Sequence, residues 1–313
     1  VGFLLFVIHC EATFGTIKEN IMKSIVSYPN RGSWGNAKWR GNTSGHIIKD
    51  LVEHFQPKLF VDVCEGSGTS GDVCREMGVD YVGLDLYKGN DFTKDFVLSQ
   101  LTRPADMVFS HPPYHTMIPY SGNMWGSGAV EGDTSHCDSV DEFIEKSQVM
   151  LLNQREATRS GGVYTTLIGD MRKNGEFRSF QADFIKMMPS SELLSVVVKA
   201  QHNCWSDHRQ YSGNFVPIHH EYLLLWKRTE KTIIQIAYEK QRELKQLVSA
   251  TWRSVIRIAL MKHGGKTTLD RIYKAVESIA GDLISKNQHW QAKVRQVLQR
   301  HFQNVQRGVW AVA

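Results

Sequence analysis

The sequence predicts an α/β protein: a doubly wound, mostly parallel sheet followed by a small basic helical module. Three observations carry this. Short apolar runs alternate with amphipathic helical stretches between residues 43 and 201. A glycine-rich turn, GSGTSG (66–71), stands between one apolar run and the next helix. From residue 230 onward the texture changes to long, basic and helical.

The elements follow in order. TSGHIIKDLVEHF (43–55) spaces Ile47, Ile48, Leu51, Val52 and Phe55 along one helical face, with Thr43 or Ser44 as N-cap. KLFVDV (58–63) reads as a strand, and a short helix follows the glycine turn through Val73 to Met77. VDYVGLDL (79–86) and DMVFS (106–110) are further strands, and residues 139–157 form an amphipathic helix. Strand 162–171, helix 177–188 and strands 192–201 and 220–228 complete this region. The last two strands have no evident helix between them, which predicts an antiparallel hairpin at one edge of the sheet. Beyond 230, three helices (251–264, 267–280, 287–301) and two short strands around Arg307-Gly308 make a winged-helix pattern.

Composition sets the limits. The chain has 313 residues, 42% hydrophobic and 22% charged, which suits one large domain, or one large and one small. The expected divisions are an extension at 1–21 outside the native fold, a main domain at 22–229, a helical linker at 230–250 and a winged-helix-like domain at 251–313. Met22 opens a more ordinary beginning than Val1 does. The apolar stretch at the N-terminus is shorter than a membrane span and lacks a signal peptide's flanks. Five scattered cysteines without a CxxC pair fit reduced thiols and a cytoplasmic location. His202, Cys204 and His208 lie close together but lack a standard zinc spacing, so no metal is expected. Residues 227–313 hold 17 Lys or Arg against 6 Asp or Glu, within an overall net charge of +5. A basic tail on an acidic body points to a polyanion partner. In the third helix Lys293, Arg295 and Arg300 accompany an apolar side of Val294, Val297 and Leu298, and Arg307 stands in the wing.

Two motifs carry chemistry. The glycine turn satisfies G-x-G-x-x-G, and Asp85 ends the next strand 17 residues after Gly68. Glycine lets the backbone approach a ligand closely, and an acid at that position can accept from both ribose hydroxyls. This geometry serves NAD and S-adenosyl-L-methionine equally. The second motif, His111-Pro112-Pro113-Tyr114, ends a buried strand. Two prolines make a rigid extended turn, and an aromatic after them offers a face to a planar base.

DVCEGSGT (62–69) resembles the D-P-F-x-G-S-G-T motif of DNA amino-methyltransferases: Asp62, Gly66, Ser67, Gly68 and Thr69 match, while Val63 and Cys64 depart. His111-Pro112-Pro113-Tyr114 resembles the same family's D/N/S-P-P-Y/F/W motif. Over residues 35–228 the chain therefore resembles the N6-adenine/N4-cytosine DNA methyltransferases. The resemblance implies a Rossmann-like methyltransferase sheet, S-adenosyl-L-methionine as cofactor and double-stranded DNA as partner. It also implies transfer to the amino group of a flipped base. Members often accompany a restriction enzyme; others are solitary. The implied cofactor contacts are Asn42, Thr43, Asp62, Glu65, Gly66, Ser67, Gly68, Thr69, Asp85, Leu86, Asp91 and Phe92, with Asp95-Phe96 competing with the last pair. Tyr120, Trp125, Asp170 and Trp205 are candidates for the flipped base or the DNA.

His111 is the departure. Imidazole accepts through one nitrogen only while neutral, so activity is expected to fall through mildly acidic pH. The histidine also removes the usual cue to the base, leaving adenine N6 first and cytosine N4 close behind. RNA or protein acceptors rank lower. A nicotinamide-dependent oxidoreductase gives His-Pro-Pro-Tyr and the basic tail no role. A DNA-binding regulator with an inactive methyltransferase fold is the remaining reading.

Overall fold

The computed structural model describes residues 22–202, 204, 214 and 216–312. The expected extension at 1–21 lies outside the described residues, as do Trp205 and His208. The chain divides into two compact units between Glu230 and Lys231.

In the first unit, β1 (Ile25–Ser27) precedes α1 (Gly45–Phe55), β2 (Leu59–Asp62), α2 (Thr69–Met77) and β3 (Asp80–Gly83). Then come β4 (Ala105–Ser110), α3 (Val140–Ala157) and β5 (Thr158–Ile168). A small hairpin, β6 (Met171–Lys173) with β7 (Glu176–Arg178), leads into α4 (Phe180–Met187), β8 (Leu193–Ala200) and β9 (His220–Lys227). The seven-stranded sheet has the order β1-β8-β9-β5-β4-β2-β3. β9 runs antiparallel to both β5 and β8, and every other pairing is parallel.

The expected antiparallel hairpin is present as β8–β9, but it is not at the edge. β1 pairs in parallel with β8, Ile25 opposite Val198, and takes the outer position. Three residues are too few to show an alternation, and the partner strand lies far along the chain. The β6–β7 hairpin is likewise a departure from the expectation; it occupies the start of what reads as the helix at 177–188.

Alternation on the strands fills two cores. Val61, Val108, Tyr164, Leu224 and Trp226 face α3 and α4, where Phe143, Leu151, Phe180 and Phe184 are buried. Phe60, Met107, Phe109, Leu223 and Leu225 face α1 and α2, meeting Ile47, Leu51 and Val73. Burial on both faces is why these strands read as near-continuous apolar runs. Among the described residues no helix is long and apolar enough to cross a membrane.

One buried ion pair ties this unit together. Glu192, just before β8, accepts from Arg155 Nε at 2.8 Å and Nη2 at 2.6 Å, from Tyr164 Oη at 2.6 Å and from Thr229 N at 2.9 Å. Both charged side chains are fully buried. Burial alone would raise the Glu192 carboxyl, but Arg155, Thr229 and Tyr164 outweigh it and hold it at about 2.

The second unit comprises α5 (Ile233–Met261), β10 (Lys266–Thr268), α6 (Leu269–Ile279), α7 (Gly281–Ser285), α8 (Trp290–His301), β11 (Gln303–Gln306) and β12 (Val309–Ala311). Thr232 and Gln235 form a capping box at the start of α5. That helix runs unbroken through residue 250, the expected junction of linker and terminal domain. Trp252, Ile256, Leu260, Ile272, Val276, Val294 and Leu298 pack together, and the sheet order is β10-β12-β11. This is a winged-helix arrangement. Its first strand, β10, is three residues long and carries no sequence signal of its own.

Glu192→Ala should lower stability by about 3–5 kcal/mol, because the buried Arg155 guanidinium loses its two-pronged carboxylate partner and keeps only the half-exposed Glu156 as counter-charge. Urea denaturation checks this. In the wild type the stabilisation from Glu192 is present above its ordinary pKa of 4.5 and should be lost as pH falls toward about 2.

Candidate active site

The carboxyl ends of β2, β3 and β4 lie side by side, and the chain leaves β2 toward β3 on one side and β4 on the other. Open α/β sheets bind ligands at such a point. Here it holds a cleft with about 740 Å³ of space open to solvent.

The glycine turn forms one wall. Gly66 and Gly68 have φ of +53° and +86°, conformations that an L side chain rarely adopts. Gly68 is the N-cap of α2. Two carboxylates hold the turn in place. Asp62 accepts from Cys64 N at 2.9 Å and Ser70 Oγ at 2.5 Å. Asp85 accepts from Gly66 N at 2.8 Å and Tyr87 N at 3.2 Å. Burial raises both acids, Asp62 to about 7 and Asp85 to about 6, against the pull of those hydrogen bonds.

Of the expected cofactor contacts, Asn42, Thr43, Asp62, Glu65, Gly66, Ser67, Thr69, Asp85, Leu86 and Phe92 line the cleft. Asn42 accepts from Thr69 Oγ1 and donates to Asn36 O at 3.0 Å, which ties the segment before α1 to α2. Glu65 pairs with Lys88. Gly68 does not line the cleft. Nor does Asp91, whose carboxylate is taken up locally by Thr93 N at 2.9 Å and Thr93 Oγ1 at 2.6 Å. Asp95 is likewise turned to the backbone N of Asp91, at 2.8 Å. Phe92 is thus the aromatic of these pairs that reaches the cleft.

The opposite wall is the turn after β4. His111 and Pro113 line the cleft, whereas Pro112 is buried and Tyr114 points elsewhere. Tyr114, from which a face to a base is expected, does not line this cleft. Its ring instead packs so tightly over Gly169 that a Cβ there would lie 2.6 Å away. His111 Nε2 is 2.8 Å from Tyr114 Oη, which donates to Glu221 Oε1 at 2.8 Å. Lys199 Nζ donates to Glu221 Oε2 at 2.7 Å. Burial, aided by the Lys199 cation and opposed by Glu221, brings His111 down to about 4. The expected loss of the neutral imidazole in mildly acidic pH is therefore displaced to more acidic conditions. Glu221 stands at about 2; burial would raise it, but Lys199, His111 and Tyr114 lower it.

Tyr120 and Trp125 roof the cleft, as do Asp133 and Thr134. Asp170 does not face it: its carboxylate accepts from Gln181 N at 3.3 Å, at the start of α4. Trp205 lies outside the described residues. Sequence reasoning missed Trp39, which lies over the glycine turn, 3.1 Å from where a Cβ on Gly66 would stand. It also missed Lys199, Glu221 and the Asp133 loop, none of which has a local pattern. His202 bonds to Ser27 Oγ at 2.9 Å, and among the described residues no three acidic, His or Cys side chains could hold a metal.

In the second unit, Val294, Val297 and Leu298 are buried on α8, while Arg295, Arg300 and, in the wing, Arg307 are exposed. Lys293 is half-buried. Arg295 Nη1 donates to Tyr273 Oη at 3.0 Å and Lys293 Nζ to Gln296 Oε1 at 3.0 Å.

The sheet order, the reversed β9 and the glycine turn at the end of β2 define a Rossmann-like methyltransferase fold. No family model matches this sequence, and no curated protein matches it. Among solved structures, a Thermus thermophilus protein provisionally described as a DNA modification methylase, in complex with S-adenosyl-L-methionine, is 16% identical with a TM-score of 0.31. That match covers 46% of this chain and 55% of the other, so it spans about half of that protein's length. An rRNA methylase of Streptococcus thermophilus is 9% identical over 59% of this chain and 96% of its own, with a TM-score of 0.33. These likenesses concern the fold alone.

Nuclear magnetic resonance of the histidine rings should find His111 neutral down to about pH 4, well below an unperturbed imidazole at 6.5. Titration near 6.5 would mean that water reaches the ring freely.

Proposed function

We propose that this chain is an S-adenosyl-L-methionine-dependent DNA methyltransferase acting on an exocyclic amino group, adenine N6 first and cytosine N4 as the alternative. The observation that carries this reading is that the glycine turn and the His-Pro-Pro-Tyr turn open into one cleft from adjacent parallel strands.

The cleft suits the cofactor. Thr43 Oγ1 and Thr134 Oγ1 are buried, and both residues line the cleft; neither hydroxyl has a protein partner. Buried hydroxyls are normally satisfied, so these two are available to a polar ligand. Asp85 would accept from the ribose hydroxyls, and Phe92 would lie against the adenine ring. The backbone from Glu65 to Ser67 would pass beneath the methionine portion, with Asn42 and Thr43 near its carboxylate. S-Adenosyl-L-methionine supplies a methyl on a sulfonium, which the amino nitrogen accepts with loss of one proton as the thioether leaves. The protein's part is orientation. His111 would accept a hydrogen bond from the target amino group, and Pro113 would help to bound its position. Tyr120 and Trp125 are placed to grip the base.

The basic surface on α8 and the wing, with Lys293, Arg295, Arg300 and Arg307, suits the phosphates of a duplex. His111 in place of the family's Asp, Asn or Ser is the observation that favours the second reading, a DNA-binding regulator that holds the cofactor without transfer.

Methyl transfer from labelled cofactor to unmethylated DNA, followed by nucleoside analysis, tests the proposal. N6-methyladenine or N4-methylcytosine is expected; cofactor binding without transfer would favour the regulator, and methylated RNA would replace the substrate. His111→Ala should lower kcat by at least about a hundredfold while cofactor binding persists, as measured by calorimetry and single turnover. Replacing Arg300 and Arg307 by Ala should reduce the salt dependence of DNA binding by roughly 0.9 in log–log slope for each phosphate that is no longer neutralised.

A further inference from the structure

The chain Lys199–Glu221–Tyr114–His111 is built from β8, β9 and the turn after β4. Each link is within hydrogen-bond distance: 2.7 Å, 2.8 Å and 2.8 Å. Glu221 Oε1 stands 4.0 Å from His111 Nε2, so the tyrosine hydroxyl mediates between them. Lys199 and Glu221 are nearly inaccessible, with about a tenth of each side chain exposed.

Proton bookkeeping along this chain has one solution. Lys199 keeps Glu221 ionised, so the carboxylate has no hydrogen to give. A tyrosine hydroxyl has one hydrogen, and at Tyr114 it goes to Glu221 Oε1. The Tyr114 oxygen can then only accept from the imidazole, so the His111 proton sits on Nε2. We propose that Lys199, Glu221 and Tyr114 are positioning residues that fix His111 as the Nε2–H tautomer and leave Nδ1 as the acceptor for the amino group to be methylated. This deepens the methyltransferase reading and rests on it for the identity of the acceptor's partner. It also answers how a histidine can stand where an unambiguous acceptor is expected: the relay removes the tautomeric choice.

The charged and titratable groups around the ring are Glu221 on β9, Lys199 on β8, Tyr114 on its own turn, and Cys64 after β2, whose thiol burial pushes well above its usual range and keeps neutral. Removal of Lys199 has the same consequence by two routes. If Glu221 stays ionised, it draws a proton onto His111. If Glu221 becomes protonated, the hydroxyl chain can reverse and move the ring proton to Nδ1. Both abolish the acceptor.

The test has two readouts on the full chain. Nitrogen-15 spectra of the histidines should show His111 with Nε2 protonated and Nδ1 bare from about pH 5 to about pH 8. A bare Nε2 overturns the proposal whether or not the protein transfers methyl groups. In kinetics, Tyr114→Phe, which keeps the ring, should lower kcat roughly tenfold with KM for S-adenosyl-L-methionine unchanged. Lys199→Met should raise the acid limb of kcat by about one pH unit or more if Glu221 stays ionised, and lower kcat across the whole pH range if it does not. Lys199→Arg and the double variant Lys199→Met/Glu221→Gln should restore it. A Lys199→Met variant whose acid limb and kcat are both unchanged, or a Tyr114→Phe variant with full kcat, rejects the relay. A wild type with the expected tautomer but no transfer to any nucleic acid would overturn the functional reading and leave the tautomer assignment standing.

Discussion

The site depends on a buried carboxylate that must be neutralised. Glu221 faces Lys199 directly across the β8–β9 pair, in register. A carboxylate in that position would be costly without a cation and further donors. Lys199 provides the charge and Tyr114 the second hydrogen bond. The tyrosine can reach Glu221 only if the chain turns sharply after the prolines. The next residue, His115, has φ of +52°, unusual for a non-glycine residue and common at functional turns. The antiparallel half of the sheet thereby sets where His111 stands, although none of its described residues lines the cleft.

The other half of the cleft works by a different constraint. Around the glycine turn, backbone N–H groups are directed onto Asp62 and Asp85, and both acids are raised because they are buried. Those bonds give the turn one shape. What they leave unpaired is informative: the hydroxyls of Thr43 and Thr134 have no protein partner. Trp39 covers the turn from the segment before α1, and its ring meets Tyr87 at 5.5 Å between centroids. The glycine turn is thus held by hydrogen bonds, and two hydroxyls that line the cleft have no protein partner.

Charge is partitioned between the two units. The net charge of +5 conceals a strong basic excess from residue 227 onward. In the winged-helix unit the apolar residues of α8 are buried, and Arg295 and Arg300 stay exposed. An acidic body repels a nucleic acid at long range; a basic module attracts it. Under the proposed reading, the basic unit would bind the polyanion and the other would present the chemistry.

The sequence by itself determined the fold class, because strand and helix periodicities and a strand–glycine turn–helix unit are local. It also marked most of the cleft: Asp62, Gly66, Ser67, Thr69, Asp85, Phe92 and His111 belong to contiguous motifs whose spacing reflects strand ends. Only the tertiary structure decided the rest. Asp91 and Asp170 read as site acids but are taken up by nearby groups, a choice set by loop geometry that spacing does not encode. Tyr114 belongs to the motif, yet its ring is directed by Gly169 and its hydroxyl by Glu221, more than a hundred residues further along the chain. β1 joins a strand still further away in sequence, so the expected edge became interior. Lys199 and Glu221 look like ordinary charged residues in two apolar strands, because a charge's burial and its partner across a sheet exist only once the strands have paired.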